Sequence, residues 1–491
     1  MPATSSRPPN VLLFITDQQR WDTLGFTGRT PCRTPNLDRL ARDGVAFDRC
    51  LTPDPICCPA RSALFTGRYP HATGVGNNRE LPLERPALPE VFRDAGYHVA
   101  YAGKWHLGRG RAFAGLERFA GERGREYRTW LAAHGFEDTY PYGTPAFSYA
   151  YGEPDARGER SHISSPHTAP QAGPSEATFD SWVAARALEQ LETRPGDRPF
   201  FHVCSFHGPH PIFVIPEPYY SLYDPALAPE PPEFADAGAA RVDKPAFQER
   251  SIWHGAAREH GTDWAAWRRS QSVYWGYVTL LDELIGRVLG RLESLGLADD
   301  TIVAMTSDHG EMMGGHGLFQ KSSMYEGALR VPLLVRAPGR VPGGRRIGAP
   351  VSLTDLAPTL LGLTGDGAMA AAGTALLEPQ GRDLSPWLTG AAPLPPDALG
   401  AGDDPAAGAV FCEYKPYDGE GMTDIRCVAG PRYKYAWNRD DRDELYDTWA
   451  DPAELRNLAD APALAGVRDR LRRRLREWMA ATGDPLLELA P

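Results

Sequence analysis

The chain is 491 residues long, 42% hydrophobic and 10% aromatic, which suffices for a large buried core. Length alone allows about three domains of roughly 150 residues, and one large α/β domain with a smaller appendage fits equally well. A formal net charge of −11, with no Lys/Arg block along the chain, excludes the electrostatic footprint of a nucleic-acid-binding protein. Seven cysteines (Cys32, Cys50, Cys57, Cys58, Cys204, Cys412, Cys427) are too few and too irregularly spaced for a disulfide framework, so a reducing compartment is the default. The apolar run Val11 to Ile15 has no signal-peptide h-region before it, and no stretch approaches the roughly 18 apolar residues of a membrane span. A soluble cytoplasmic protein with no nucleic-acid and no membrane partner is expected.

Four apolar or β-branched runs end abruptly in polar residues: Asn10 to Gln19, Tyr97 to Gly108, Pro199 to His210 and Thr301 to Glu311. Such runs read as fully buried strands of a parallel sheet. Helical patterns lie between them: one from Thr34, with Asn36 as its cap, one from Ala87, and one from Tyr277. This alternation predicts an α/β fold, a large doubly wound, mostly parallel sheet flanked by helices. The Gly/Pro/Ser/His-rich segment from Tyr151 to Ser175 reads as a surface excursion, and the Ala/Gly/Pro-rich stretch from Gly365 to Gly408 as a domain connection. After it come three short strand-like runs, AVFCEY, IRCVAG and YKYAWN, and a helix from about Leu464 to Ala480 with an Arg-rich polar face. These predict a small antiparallel sheet with a terminal helix, and hence a catalytic domain over 1–375 and a smaller C-terminal α+β subdomain over 376–491.

In a doubly wound sheet, ligands collect beyond the carboxyl ends of the strands. Asp17-Gln18 follows the first strand and Asp308-His309 the strand near residue 305. If those strands are neighbours, two carboxylates, an amide oxygen and an imidazole meet, which suits a divalent cation with mostly hard oxygen ligands. A lone Asp in such a place is ordinarily a helix cap; pairing at two strand ends is what points to a metal. Lys104 and His106, His207 and His210, and Lys321 each lie just past a strand or in a Gly-rich loop. Singly they read as solvated lysines and satisfied histidines. Together they supply the cationic donors that hold a tetrahedral oxyanion, so the ligand should be a sulfate or phosphate ester.

The stretch Cys57-Cys58-Pro59-Ala60-Arg61 leaves alternatives open on its own residues. Two buried structural thiols are one reading, and soft ligands for zinc another, although no C-x-x-C or C-x-x-H spacing accompanies the pair. A cysteine nucleophile is the third, because Arg61 or a helix N-terminus can depress a thiol pKa. The order C-x-P-x-R, followed by SALFTGRYPHATGV, resembles the signature of the sulfatase family, a branch of the alkaline phosphatase superfamily. The blocks NVLLFITDQQRWDTLG, YAGKWHLG, SDHGEMMGGHGLFQKSSMYEGALRVPLLVRAPG and YKYAWNRDDRDELYDTWADPAELRNLA resemble the family in order.

The resemblance implies that Cys57 is oxidised to Cα-formylglycine by a formylglycine-generating maturation enzyme that reads the Pro and Arg. Cys58 fills the free position without a catalytic role. It further implies Asp17, Gln18, Asp308, His309 and an oxygen of modified Cys57 as metal ligands. Arg61 would hold the aldehyde hydrate, with Lys104, His106, His210 and Lys321 on the sulfate oxygens and leaving group. Many members carry Asp at the position of Gln18 and Asn at that of His309; calcium is favoured here, with manganese or magnesium as alternatives. The Asp-Gln and Asp-His pairs also occur in the phosphonate monoester hydrolase and phosphodiesterase branch, where an asparagine at the place of Asn78 faces the substrate. Lys104 and His106 draw the reading back toward sulfatases.

The expected chemistry is attack of a residue-57 hydroxyl on sulfur, protonation of the leaving alcohol by His210 or a Lys/His neighbour, then C–O cleavage with His106 taking the proton. A sulfate monoester of an aryl or small carbohydrate alcohol is the expected substrate, with Asn78 and His207 against it. A phosphonate or phosphodiester hydrolase is the first alternative, and an unmodified, non-catalytic oxyanion- or metal-binding protein the second. Tyr219, Tyr220 and Tyr223 are available either for stacking on the alcohol or for packing a Pro-rich loop. No patch identifies an interface, so the oligomeric state is open.

Overall fold

A computed structural model describes residues 7–121, 124–137, 168–237, 243–250, 260–395, 404–416 and 422–491. The excursion expected from Tyr151 to Ser175 lies outside them up to residue 167. The four predicted strands form as β1 (Asn10–Thr16), β3 (His98–Gly103), β5 (Phe200–Ser205) and β6 (Thr301–Ser307), each ending before its polar tail. Shorter strands complete the sheet: β2 (Val45–Phe47), β4 (Arg118–Ala120), β7 (Leu333–Arg336) and β8 (Arg345–Ile347). The order is β8-β2-β7-β6-β1-β5-β3-β4. Strands β6, β1, β5, β3 and β4 run parallel, whereas β7 is antiparallel to both its neighbours.

Alternation along β1 explains why helices cover both faces. Leu12 and Phe14 join a core with α1 (Pro35–Asp43), α4 (Phe179–Glu192) and α5 (Trp264–Ser294). Val11, Leu13 and Ile15 face the opposite core, with α2 (Cys57–Thr66), α3 (Leu88–Asp94), α6 (Leu356–Leu363) and α7 (Gly367–Leu377). Each large apolar side chain so buried contributes about 1.5–3 kcal/mol. No helix among the described residues is long and apolar enough to cross a membrane.

Three expectations are corrected. Asn36 does not cap α1: Pro35 occupies the first helical position, and Asn36 instead donates through Nδ2 to Asp282 Oδ2 of α5 at 2.9 Å. The long helix starts at Trp264, before the Tyr277 of the sequence pattern, where Asp263 accepts from the Ala265 amide at 2.9 Å. The stretch from Gly365 is not mere connection. Its alanines favour helix, Asp366 caps α7 on the Ala368 and Met369 amides at 3.0 Å each, and Leu384 and Leu388 pack into the same core as Val11, Leu13 and Ile15.

The C-terminal sheet is antiparallel: β9 (Val410–Tyr414), β10 (Ile425–Ala429), β11 (Tyr433–Asn438) and a fourth strand, β12 (Glu444–Asp447), absent from the expectation. One face packs on the terminal helix α8 (Ala465–Thr482) through Val428, Tyr435, Leu471 and Trp478. The other meets Leu51, Ile56 and Leu329 of the large domain. Charged groups line this seam: Glu326 accepts from Arg49 at 2.9 Å, lies 3.5 Å from Lys434, and its amide donates to Glu454 at 2.8 Å.

His71 bolts the seam at its other end. Its Nδ1 is 2.5 Å from Glu413 Oε2 and its Nε2 is 3.3 Å from the Thr482 carbonyl, so acceptors face both ring nitrogens, as an imidazolium requires. Asp484 is 3.8 Å away and is itself held by Arg426, whose Nε also lies 3.9 Å from Glu413. Burial lowers the His71 pKa, yet Glu413 and Asp484 lift it above its ordinary 6.5. A pKa raised by folding stabilises fully below the unfolded value and ceases to do so as pH rises through the folded value. The melting-temperature gap between wild type and His71→Gln is therefore expected to be wider at about pH 5.5 than at about pH 9. A gap of the same width at both would exclude the charged form.

Candidate active site

Strands β1 and β6 pair in register from Asn10↔Thr301 to Thr16↔Ser307, which carries Asp17 and Asp308 to the same edge. Both are fully buried. Gln18 follows with φ of 69°, a left-handed conformation that side chains rarely adopt, and its amide N–H donates to Asp308 Oδ1 at 3.0 Å. The Gln18 side chain turns inward: Oε1 accepts from Lys321 Nζ at 2.7 Å, while Nε2 donates to Glu311 Oε2. His309 donates from Nδ1 to the Gly310 carbonyl at 2.9 Å, which leaves Nε2 for the site, 3.7 Å from Asp308 and 3.9 Å from Asp17. One ligand atom each from Asp17, Cys57, Asp308 and His309 lies within 4.8 Å of all the others.

Cys57 is the first residue of α2, so its side chain sits at the positive end of the helix. Asn78 Oδ1 accepts the next free amide, that of Cys58, at 3.2 Å. Cys57 Sγ is 3.1 Å from His309 Nε2, 3.3 Å from Lys321 Nζ, and 3.8 Å from both Lys104 Nζ and Asp17 Oδ1. Arg61, one turn on and fully buried, donates to Asp308 Oδ2 at 2.9 Å, Asp17 Oδ2 at 3.4 Å, Ser205 Oγ at 2.9 Å and the Lys104 carbonyl at 2.7 Å. Its fork braces the two carboxylates against β3 and β5. Gly67 closes the helix with φ of 70°, where a side chain would strain the turn.

Lys104 follows β3 and bonds Asp17 Oδ2. His210 lies in the loop after β5, with Nδ1 2.5 Å from the Pro211 carbonyl and Nε2 accepting from Lys321 at 3.2 Å. That loop is anchored from α4: Asp180 accepts the His207 amide at 2.7 Å and the Tyr277 hydroxyl at 2.7 Å. The structure thus brings Asp17, Gln18, Cys57, Arg61, Lys104, His210, Asp308, His309 and Lys321 together. His106 also neighbours Cys57, where its hydrogen bond helps to hold the thiol low; its Nε2 is 3.5 Å from Glu80 and its Nδ1 is buried without a hydrogen-bond partner. His207 lies one ring further back, edge-on to His210 at 5.1 Å between centroids and to Phe179 at 6.5 Å. Tyr219 and Tyr223 are not free for stacking: both are buried, Tyr219 donates to Glu283 at 2.5 Å, and Tyr223 shares a hydrogen bond with Thr279 at 2.7 Å.

The electrostatics separate the two adjacent thiols. Burial pushes Cys57 up, but Lys104, Lys321 and His309 overcome it and hold the thiol well below its ordinary range. Cys58 is pushed up by burial and by its neighbour's charge. Asp17 feels burial and Cys57 upward, yet Lys104, His210 and Arg61 hold it low; Asp308 is pushed up by burial and by Asp17. Two buried carboxylates in mutual repulsion, with an amide oxygen and an imidazole that can give up its proton to an ion beside them, are a donor set that fits a divalent cation. His210 is lowered to about 4, by burial and then Lys321, so it is neutral and accepts at Nε2.

Glu311, Asp180, Tyr277 and Ser205 escaped the sequence reading. Only Glu311 left a signal, as a second acidic residue in SDHGE just past a strand.

The sulfatase profile matches residues 9–366, and that of the N-sulphoglucosamine sulphohydrolase C-terminal region matches residues 314–481. The ulvan-active sulfatase of Formosa agariphila is 30% identical over 97% of this chain and 82% of its own. The multifunctional alkaline phosphatase superfamily protein PehA of Trinickia caryophylli is 30% identical over 97% and 96%. Among solved structures, the phosphonate monoester hydrolase of Agrobacterium radiobacter superposes with a TM-score of 0.75 at 26% identity, covering 96% of each chain. Fold and site together define an enzyme of the alkaline-phosphatase-like α/β class. Within that class, the chain belongs to the sulfatase family.

Proposed function

We propose that this enzyme hydrolyses a sulfate monoester of an aryl or small carbohydrate alcohol, through a Cα-formylglycine made from Cys57 by a maturation enzyme. The observation that carries this is the seat of Cys57: a helix N-terminus with Lys321, Lys104 and His309 within 3.8 Å of Sγ. Asp17, Gln18, Asp308, His309 and residue 57 would hold a divalent cation, calcium in our reading with manganese or magnesium as alternatives. When bound it would neutralise sulfate oxygens and acidify the residue-57 hydrate that attacks sulfur. Lys104 and Lys321 converge on the same space and offset the charge of a transferring sulfuryl group. Because His210 is neutral, the leaving alcohol takes its proton from the Lys321–His210 pair rather than from His210 alone. His106, with its unpartnered Nδ1, stands where a base is needed to collect the residue-57 proton as sulfate leaves. Asn78 and His207 belong to the substrate side of this reading, residues 1–375 to its catalytic unit and 376–491 to its appended unit. The seven free thiols favour a reducing, cytoplasmic setting.

A second reading is a phosphonate monoester or phosphodiester hydrolase, favoured by Gln18 and His309 standing where sulfatases often carry Asp and Asn. Relative kcat/KM for matched aryl sulfate and aryl phosphonate esters separates the two. The sulfate is expected to lead by at least about tenfold; a lead for the phosphonate ester would install the second reading.

A further inference from the structure

Glu311 makes three hydrogen bonds that join two parts of the site. Its Oε1 accepts the backbone amides of Met313 at 2.9 Å and Gln320 at 2.5 Å, and its Oε2 accepts Gln18 Nε2. It is fully buried. Lys321 follows Gln320 directly, so one carboxylate sets both the Gln18 amide and the loop that delivers the Lys321 ammonium.

The orientation of the Gln18 amide follows from chemistry as well as from coordinates. An ammonium has three donors and no acceptor, so the atom 2.7 Å from Lys321 Nζ must be the oxygen. The NH2 then points to Glu311, whose oxygens accept it. Gln18 Oε1 is thereby held on Lys321 Nζ, which itself lies 3.3 Å from Cys57 Sγ, so the amide turns its oxygen, and not its NH2, to the Lys321–Cys57 side of the site.

We propose that Glu311 is the positioning residue that locks the Gln18 amide in its cation-facing orientation, and that Gln18 and Glu311 act as one amide–carboxylate unit. The proposal rests on the divalent-cation reading above. It also gives a reason for glutamine at position 18: a carboxylate there would meet the carboxylate of Glu311 head on.

Glu311→Ala strips two buried amides of their acceptor and confounds folding with positioning, whereas Glu311→Gln is isosteric and makes a sharp demand. The new side chain must keep its oxygen on the Met313 and Gln320 amides, which turns its NH2 toward that of Gln18. The Gln18 amide then has to flip and present a donor to Lys321 and to the cation position. Exchanging the groups, with Gln18→Glu added to Glu311→Gln, restores every donor–acceptor match at unchanged total charge.

The experiment is calorimetric titration of the full-length wild type, Glu311→Gln and the Gln18→Glu/Glu311→Gln exchange with calcium ion alone, alongside their thermal melts. Glu311→Gln is expected to weaken calcium by about 10–100-fold, the scale on which partners of ligands act, and the exchange to recover most of the loss. Glu311→Gln binding calcium as wild type does overturns the proposal. So does an exchange variant that melts like wild type yet stays as weak as the single variant. Absence of calcium binding by wild type overturns the cation reading itself, and the proposal with it.

Discussion

Cys57→Ala is expected to lower kcat on an aryl sulfate by at least about 10⁴-fold, the order seen when a covalent nucleophile is removed. Cys57→Ser is expected to be comparably inactive, because a serine hydroxyl supplies no aldehyde hydrate and cannot release sulfate by C–O cleavage. The chemical counterpart is a mass measurement on the tryptic peptide spanning Cys57 and Arg61, from protein co-expressed with a formylglycine-generating enzyme. An aldehyde captured by hydrazide is the expected outcome. A persistent thiol, with Cys57→Ser as active as wild type, would discard the aldehyde mechanism. The depressed Cys57 thiol, with three cationic groups around it, makes this comparison necessary: a thiolate nucleophile is the alternative that such a seat supports.

Arg61→Leu is expected to cost about 3–5 kcal/mol, read as a lower urea midpoint, because it leaves Asp17 and Asp308 buried without the guanidinium between them. Arg61→Lys should recover little of this, since one ammonium cannot reproduce contacts at 2.9 Å to Asp308, 2.9 Å to Ser205 and 2.7 Å to the Lys104 carbonyl. On the cation reading proposed above, calcium should raise the midpoint of Arg61→Leu by more than that of wild type, because the ion would take over neutralisation of the carboxylates. A midpoint for Arg61→Leu indistinguishable from wild type would show that the brace is dispensable.

Much of the candidate site was legible because it sits where the sheet must place it. Asp17 and Asp308 each follow an apolar run directly, and parallel pairing of those two runs brings them side by side without help from any loop. Cys57 and Arg61 lie one helical turn apart, so a single helix start aims both inward. The roles of Glu311 and Asp180 were not legible for the opposite reason, although Glu311 itself stands just past a strand. Their partners, Gln320 and Gln18 for one, His207 and Tyr277 for the other, are set by loop paths and long-range packing that no local pattern encodes. Tyr219 and Tyr223 left their hydroxyl partners undecided until α5 supplied Glu283 and Thr279. Strand β12 was overlooked because Glu444 and Asp447 flank only two apolar residues, too few to show alternation. The helix α7 was hidden by alanine and glycine, which read as linker in composition but as helix once Asp366 caps them.

The charged seam around Glu326 has one more consequence. Lys321, which touches Gln18, Cys57 and His210, is followed within five residues by the Glu326 that Arg49, Lys434 and Glu454 grip from both parts of the chain. The small sheet is therefore the far abutment of an arch whose keystone is the Lys321 ammonium. A chimera that swaps this sheet between relatives transplants part of the footing of the Lys321 loop, so the two units are matched parts of one machine and not a body with an interchangeable tail.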